Sequence, residues 1–148
     1  MNRGYFGIGI ENPKTKINLG TLWRSAYAME ASFIFTIGQR YQKQRSDTPK
    51  AWKHVPLYNY KDLNQFLNNI PYDCSLIGIE TGQRQSLTNF VHPERCIYLL
   101  GAENIGLSKE AIEGCTHLIT IPGCRTCLNV AVSGSIIMAD RVSKGITI

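Results

Sequence analysis

The 148-residue chain contains no apolar run long enough to cross a membrane, about eighteen residues or more, so no transmembrane helix is expected. Its opening residues, MNRGYFGIGIEN, lack the long apolar region and cleavage site of a secretory leader, and a cytoplasmic location is expected. Internal repeats, low-complexity tracts and linker-like stretches are also missing. Acidic residues are scarce beside basic ones, 11 against 16, which leaves a net charge of +5. Such a balance permits binding to nucleic acid without requiring it. Histidines are few: His54, His92 and His117 show no paired spacing.

Cysteine is present in an odd number, five, and without a secretory leader reduced thiols are expected. One close pair exists, Cys124 and Cys127 in the stretch IPGCRTCLNVAVSG. A structural zinc site needs about four ligands, usually as two close pairs, and this chain offers one. A redox C-x-x-C opens a helix after an early strand, whereas this one lies near the end of the chain. The thiols therefore read as small hydrophobes or bystanders, and no metal is expected.

What is present reads as one globular domain over residues 1–148, with 43% hydrophobic and 18% charged residues and length enough for a core. Short apolar runs at 4–10, 31–38, 74–80, 96–101 and 117–122 are nearly continuous, as in strands buried on both faces of a parallel sheet. Helix-like segments lie between and after them, at about 18–30, 60–69, 107–114 and 128–143. The alternation predicts an α/β layer fold with a parallel sheet. Along the last helix, Ala131, Ser133, Gly134 and Ser135 are small enough for close packing on a neighbour. The longest connection, residues 39–58, carries Arg40, Lys43, Arg45, Lys50 and Lys53, with Tyr41, Trp52 and His54 among them. Cations meet phosphates and aromatic faces stack on unpaired bases, so this loop is either an RNA-facing surface or an ordinary solvated one.

Three motifs carry chemistry. In NLGTLWRSA, Asn18 suits a helix N-cap, Gly20 permits close approach, and Arg24 lies about 9 Å further along a helix. In LLGAENIGLSKE, Gly101 and Gly106 flank Glu103 in a strand-to-helix loop, the place where open parallel sheets bind ligands. In the third, HLITIP ends at Pro122-Gly123, and Leu128-Asn129 lead into the final helix.

Together, Asn18-x-Gly20-x-x-x-Arg24, Leu100-Gly101-x-Glu103-x-x-Gly106-Leu107 and Ile121-Pro122 followed by Leu128-Asn129-Val130 resemble the SpoU (TrmH-like) RNA ribose methyltransferases of the SPOUT superfamily. The resemblance implies a parallel-sheet α/β knot whose C-terminal segment forms a deep trefoil, and a homodimer that draws its site from both subunits. It implies S-adenosylmethionine as cofactor, held by Glu80, Leu100, Gly101, Glu103, Gly106, Ile121, Pro122, Cys127 and Leu128. It implies Arg24, Asn18, Glu103 and Asn129 as catalytic residues and RNA as substrate; with no obvious extra RNA-binding domain in the sequence, tRNA is the favoured expectation and rRNA stays open. A catalytically silent RNA-binding module on the same fold is the alternative. Two departures from the family pattern stand out. Cys127 replaces the usual Ser, and the Pro122–Cys127 loop is short, with Gly123 after Ile-Pro.

Overall fold

The computed structural model describes residues 4–39 and 50–145. Strands β1 (Tyr5–Glu11), β2 (Phe33–Ile37), β3 (Leu57–Tyr60), β4 (Ser75–Ile79), β5 (Gln85–Ser86), β6 (Arg95–Leu100) and β7 (His117–Thr120) form one sheet in the order β3-β2-β1-β6-β4-β7-β5. Every pairing in it is parallel. Helices α1 (Lys16–Ala28), α2 (Leu63–Leu67), α3 (Lys109–Gly114) and α4 (Val130–Ser143) cover both faces. This is the expected α/β layer arrangement.

Alternation along the central strands divides the core. Phe6, Ile8 and Ile10 of β1 and Cys96, Tyr98 and Leu100 of β6 face α1 and α4. Ile97 and Leu99 face the opposite layer, with Phe66 of α2 and Ala111 of α3. The small residues of the last helix do bring it close to a neighbour, α1. A Cβ on Gly134 would collide with Leu22, and the Ser135 hydroxyl donates to that of Ser25 at 2.7 Å.

The far end of α4 is pinned to the start of β6. Arg141, 1% exposed, donates to the carbonyls of Pro93 and Glu94 at 2.7 and 2.8 Å and to the Tyr98 hydroxyl at 3.2 Å. Next to it, His92 bridges Tyr98 (2.6 Å) and Asp140 (2.8 Å), and Asp140 also pairs with Lys144 at 2.7 Å.

Several boundaries differ from expectation. Helix α1 begins two residues early, because Thr15 and not Asn18 is its cap: the Thr15 hydroxyl accepts the Asn18 N–H at 3.3 Å. Asn18 instead lies inside the first turn, which frees its side chain. The helix expected at 60–69 shrinks to five residues capped by Asp62, and the chain before it forms β3, an edge strand. The 39–58 connection thus contains a 3₁₀ turn, Ala51–Lys53, and the start of β3.

Candidate functional site

The three motifs converge at the carboxyl ends of the central strands. Asn18 from α1 donates to Glu103 Oε1 at 3.1 Å. Asn129 Nδ2 donates to the same oxygen at 2.8 Å and to Asn18 Oδ1 at 2.9 Å. Asn129 Oδ1 meanwhile accepts the N–H groups of Ala131 and Val132, so one side chain both caps α4 and closes the triangle. The second carboxylate oxygen of Glu103 has no hydrogen-bond partner among the described residues.

Glu103 also lines a cavity. Its apolar walls are Ile79, Leu100, Ile121, Leu128 and Val130, and its polar groups include Glu80, Thr81, Thr120, Thr126 and Ser133. Gly101, Gly106 and Cys127 also line it. The expected cofactor residues therefore share one cavity, except Pro122, which is exposed in the turn beside it. Asn18 and Asn129 reach the cavity through Glu103.

Two carboxylates set the shape of the 101–108 loop. Glu80 accepts the N–H of Thr81 and of Leu107, each at 2.9 Å. Glu11, 4% exposed, accepts the Ser108 N–H and hydroxyl, both at 2.7 Å. Glycine is required in this loop: a Cβ on Gly101 would overlap the backbone of Gly106 and Leu107, and Gly106 has φ +76°. Sequence reasoning missed Glu11 and Ser108. A Glu that ends an apolar run carries no sign that it is buried against a helix cap far along the chain.

Arg24 is placed otherwise. It is exposed on α1, outside the cavity lining, with no hydrogen-bond or ion-pair partner among the described residues. Lys50 and Lys53 are exposed around the 3₁₀ turn, and Arg40, Lys43 and Arg45 lie outside the described residues.

The paired thiols are exposed, and both line the cavity. The other three are held by their surroundings: burial pushes the Cys96 and Cys115 thiols up to about 11, and also raises Cys74. Among the described residues no group of three or more His, Cys, Asp or Glu side chains is placed to hold a metal ion. Among the same residues no helix is long and apolar enough to cross a membrane.

The model of the SpoU rRNA Methylase family matches residues 6–139. The chain belongs to this family. Each of the three sequence motifs supplies one corner of the Asn18–Glu103–Asn129 triangle. Among solved structures, the fold matches AviRb from Streptomyces viridochromogenes, a SpoU methyltransferase crystallised with AdoMet. That match has 20% identity and a TM-score of 0.87, and covers 97% of this chain and 59% of that one. It also matches a protein solved in work on the 2-OH methylation of C/U34 on tRNA. Here identity is 22%, the TM-score is 0.81, and coverage is 97% of this chain and 99% of the other. An uncharacterized tRNA/rRNA methyltransferase of Mycolicibacterium smegmatis is 25% identical over 143 residues, 90% of this chain and 45% of the relative. The chain thus spans less than half the length of the curated relatives it matches.

Proposed function

We propose that this SpoU-family chain, as a single methyltransferase domain, transfers a methyl group from S-adenosylmethionine to a ribose 2′-hydroxyl of RNA, with tRNA the favoured substrate. The observation that carries this reading is the Asn18–Glu103–Asn129 triangle at the rim of a cavity framed by the family's loops. The likeness of fold to the protein studied for 2-OH methylation on tRNA supports ribose and tRNA over base and rRNA.

The cavity suits the cofactor. Its apolar walls fit a flat heteroaromatic ring, its two carboxylates complement a cation, and its hydroxyls fit a sugar. Glu80, Gly101, Gly106, Ile121 and Leu128 would hold it. Bound there, it supplies an electrophilic methyl on a sulfonium.

The chain's own residues then have three tasks. Asn18, Glu103 and Asn129 hold the rim rigid, which is a positioning task. Arg24 donates hydrogen bonds to the ribose 2′-oxygen and an adjacent phosphate as negative charge grows there. A guanidinium stays protonated at any working pH, so Arg24 is a donor and not the base, and the proton leaves to water or phosphate.

Arg24 does not line its own chain's cavity, which favours a homodimer in which Arg24 of the partner subunit faces the bound sugar. The place of β7 between β4 and β5, and the return of α4 onto α1, support a C-terminal segment threaded into a trefoil knot.

Incubation with labelled S-adenosylmethionine and bulk RNA, then nuclease digestion and mass spectrometry, tests the reading. A 2′-O-methylnucleoside is expected. A methylated base overturns the ribose assignment. Cofactor binding without transfer supports instead an RNA-binding module that has lost catalysis.

A further inference from the structure

Helix α1 carries a second surface beyond the triangle. Nine positions after Asn18, about 13.5 Å along the axis, is Tyr27, and Arg24 lies one turn before it on the adjoining face. The His54 ring lies on Tyr27, with ring centroids 4.7 Å apart and planes 16° from parallel.

The backbone under His54 is fixed. His54 closes the 3₁₀ turn through a 2.9 Å bond from its N–H to the Ala51 carbonyl. Ala51 and Val55 are buried on either side, and the indole N–H of Trp23 donates to the Val55 carbonyl at 2.8 Å. The ring is thus carried on anchored main chain, and His54 itself is exposed.

Cations stand close in sequence to this ring pair. Lys50 and Lys53 are exposed on the same turn, with Lys53 Nζ 5.5 Å from the Trp52 ring centroid. Arg24 has no partner among the described residues. A flat ring pair on fixed backbone, exposed at His54 and close in sequence to cations, matches a polyanion that carries flat bases better than it matches a peptide.

We propose that the Tyr27–His54 pair is a stacking platform for one unpaired base of the RNA, seated beside Arg24 with its phosphates toward Lys50 and Lys53. This rests on the RNA reading above. It makes His54 a positioning residue that acts on substrate capture.

Fluorescence anisotropy with two labelled oligomers tests it: a short oligouridylate, and a ribose-phosphate oligomer of equal length that lacks bases. His54→Ala and His54→Gln should each weaken oligouridylate binding about tenfold while leaving the abasic oligomer within about twofold of wild type. His54→Phe, which keeps a stacking ring, should restore binding. In turnover with RNA, His54→Ala should raise KM and leave kcat near wild type. Equal losses on both oligomers, no loss on either, failure of His54→Phe to rescue, or no RNA binding by the wild-type protein would each overturn the platform. Melting curves confirm that each variant is folded, and His54→Gln serves if His54→Ala is not. The two readings fail separately. Methyl transfer without base-dependent binding removes the platform alone, and base-dependent binding without transfer removes the enzymatic reading alone.

Discussion

Asn129 donates to the side-chain oxygen of Asn18 at 2.9 Å, across 111 positions of chain. The same residue caps α4 with its other side-chain atom. The two duties separate by substitution. Asn129→Asp keeps the capping oxygen, loses both donated bonds and sets a second carboxylate beside Glu103. Its melting temperature should stay close to wild type while methyl transfer collapses. Asn129→Ala loses both duties and should also be about 1 kcal/mol less stable by denaturant titration.

Arg24→Ala should lower methyl transfer by about a hundredfold or more, the scale of losing a donor to a developing oxyanion. Exposed and without a partner among the described residues, Arg24 contributes little to stability. Melting temperature and S-adenosylmethionine affinity by calorimetry should both stay near wild type. Activity close to wild type in this variant would sink the role given to Arg24.

Cys127→Ser puts a hydroxyl in place of the thiol at an exposed position of the cavity wall. Stability should change by less than about 0.5 kcal/mol, as for most surface substitutions. Transfer should be equal or higher, since a hydroxyl is the better hydrogen-bonding group. Loss of folding, with zinc detected by elemental analysis in the wild-type protein only, would point to a metal role for the thiols.

Acid should loosen the end of α4. Asp140 only accepts, so His92 carries its proton on Nε2, and its Nδ1 receives the Tyr98 hydroxyl. Burial lowers the His92 pKa below its usual 6.5, outweighing the pull of Asp140. The folded state then binds fewer protons than the unfolded one, so stability is full above 6.5 and falls as pH drops through the folded value. Asp140 adds to this at lower pH. Burial alone would raise its pKa, but hydrogen bonds from Lys144 and His92 bring it below 3.8, so its contribution is lost as pH falls through that lower value. Urea midpoints should decline from pH 7.5 to 5.5 (about one unit to either side of an unperturbed histidine). His92→Gln should be weaker at pH 7.5 and flat across that range.

Much of the sheet was legible because buried parallel strands are written as plain apolar runs. All five such runs became strands, within a residue or two at each end. The two missed strands are edge strands, where burial leaves no such trace. Leu57–Tyr60 has two exposed residues among four, and Gln85–Ser86 has only two residues. The three motifs were legible as residues but not as a triangle. Nothing local to Asn18 shows that Thr15 takes over its capping role and releases it toward Glu103. Glu11 and Ser108 were invisible for the same reason: their bond exists only once β1 and β6 lie side by side.

The exclusively parallel pairing also bears on how the chain reaches this state. None of the described strands can find its neighbour through a tight hairpin, and the central contact sets Tyr5 against Arg95. Loop-closure entropy must be met before those distant pairings return anything, so collapse is expected to outpace ordering, with native structure arriving over milliseconds to seconds and not microseconds. During synthesis, β1 must wait for β6 to leave the ribosome, with one long apolar edge uncovered until it does.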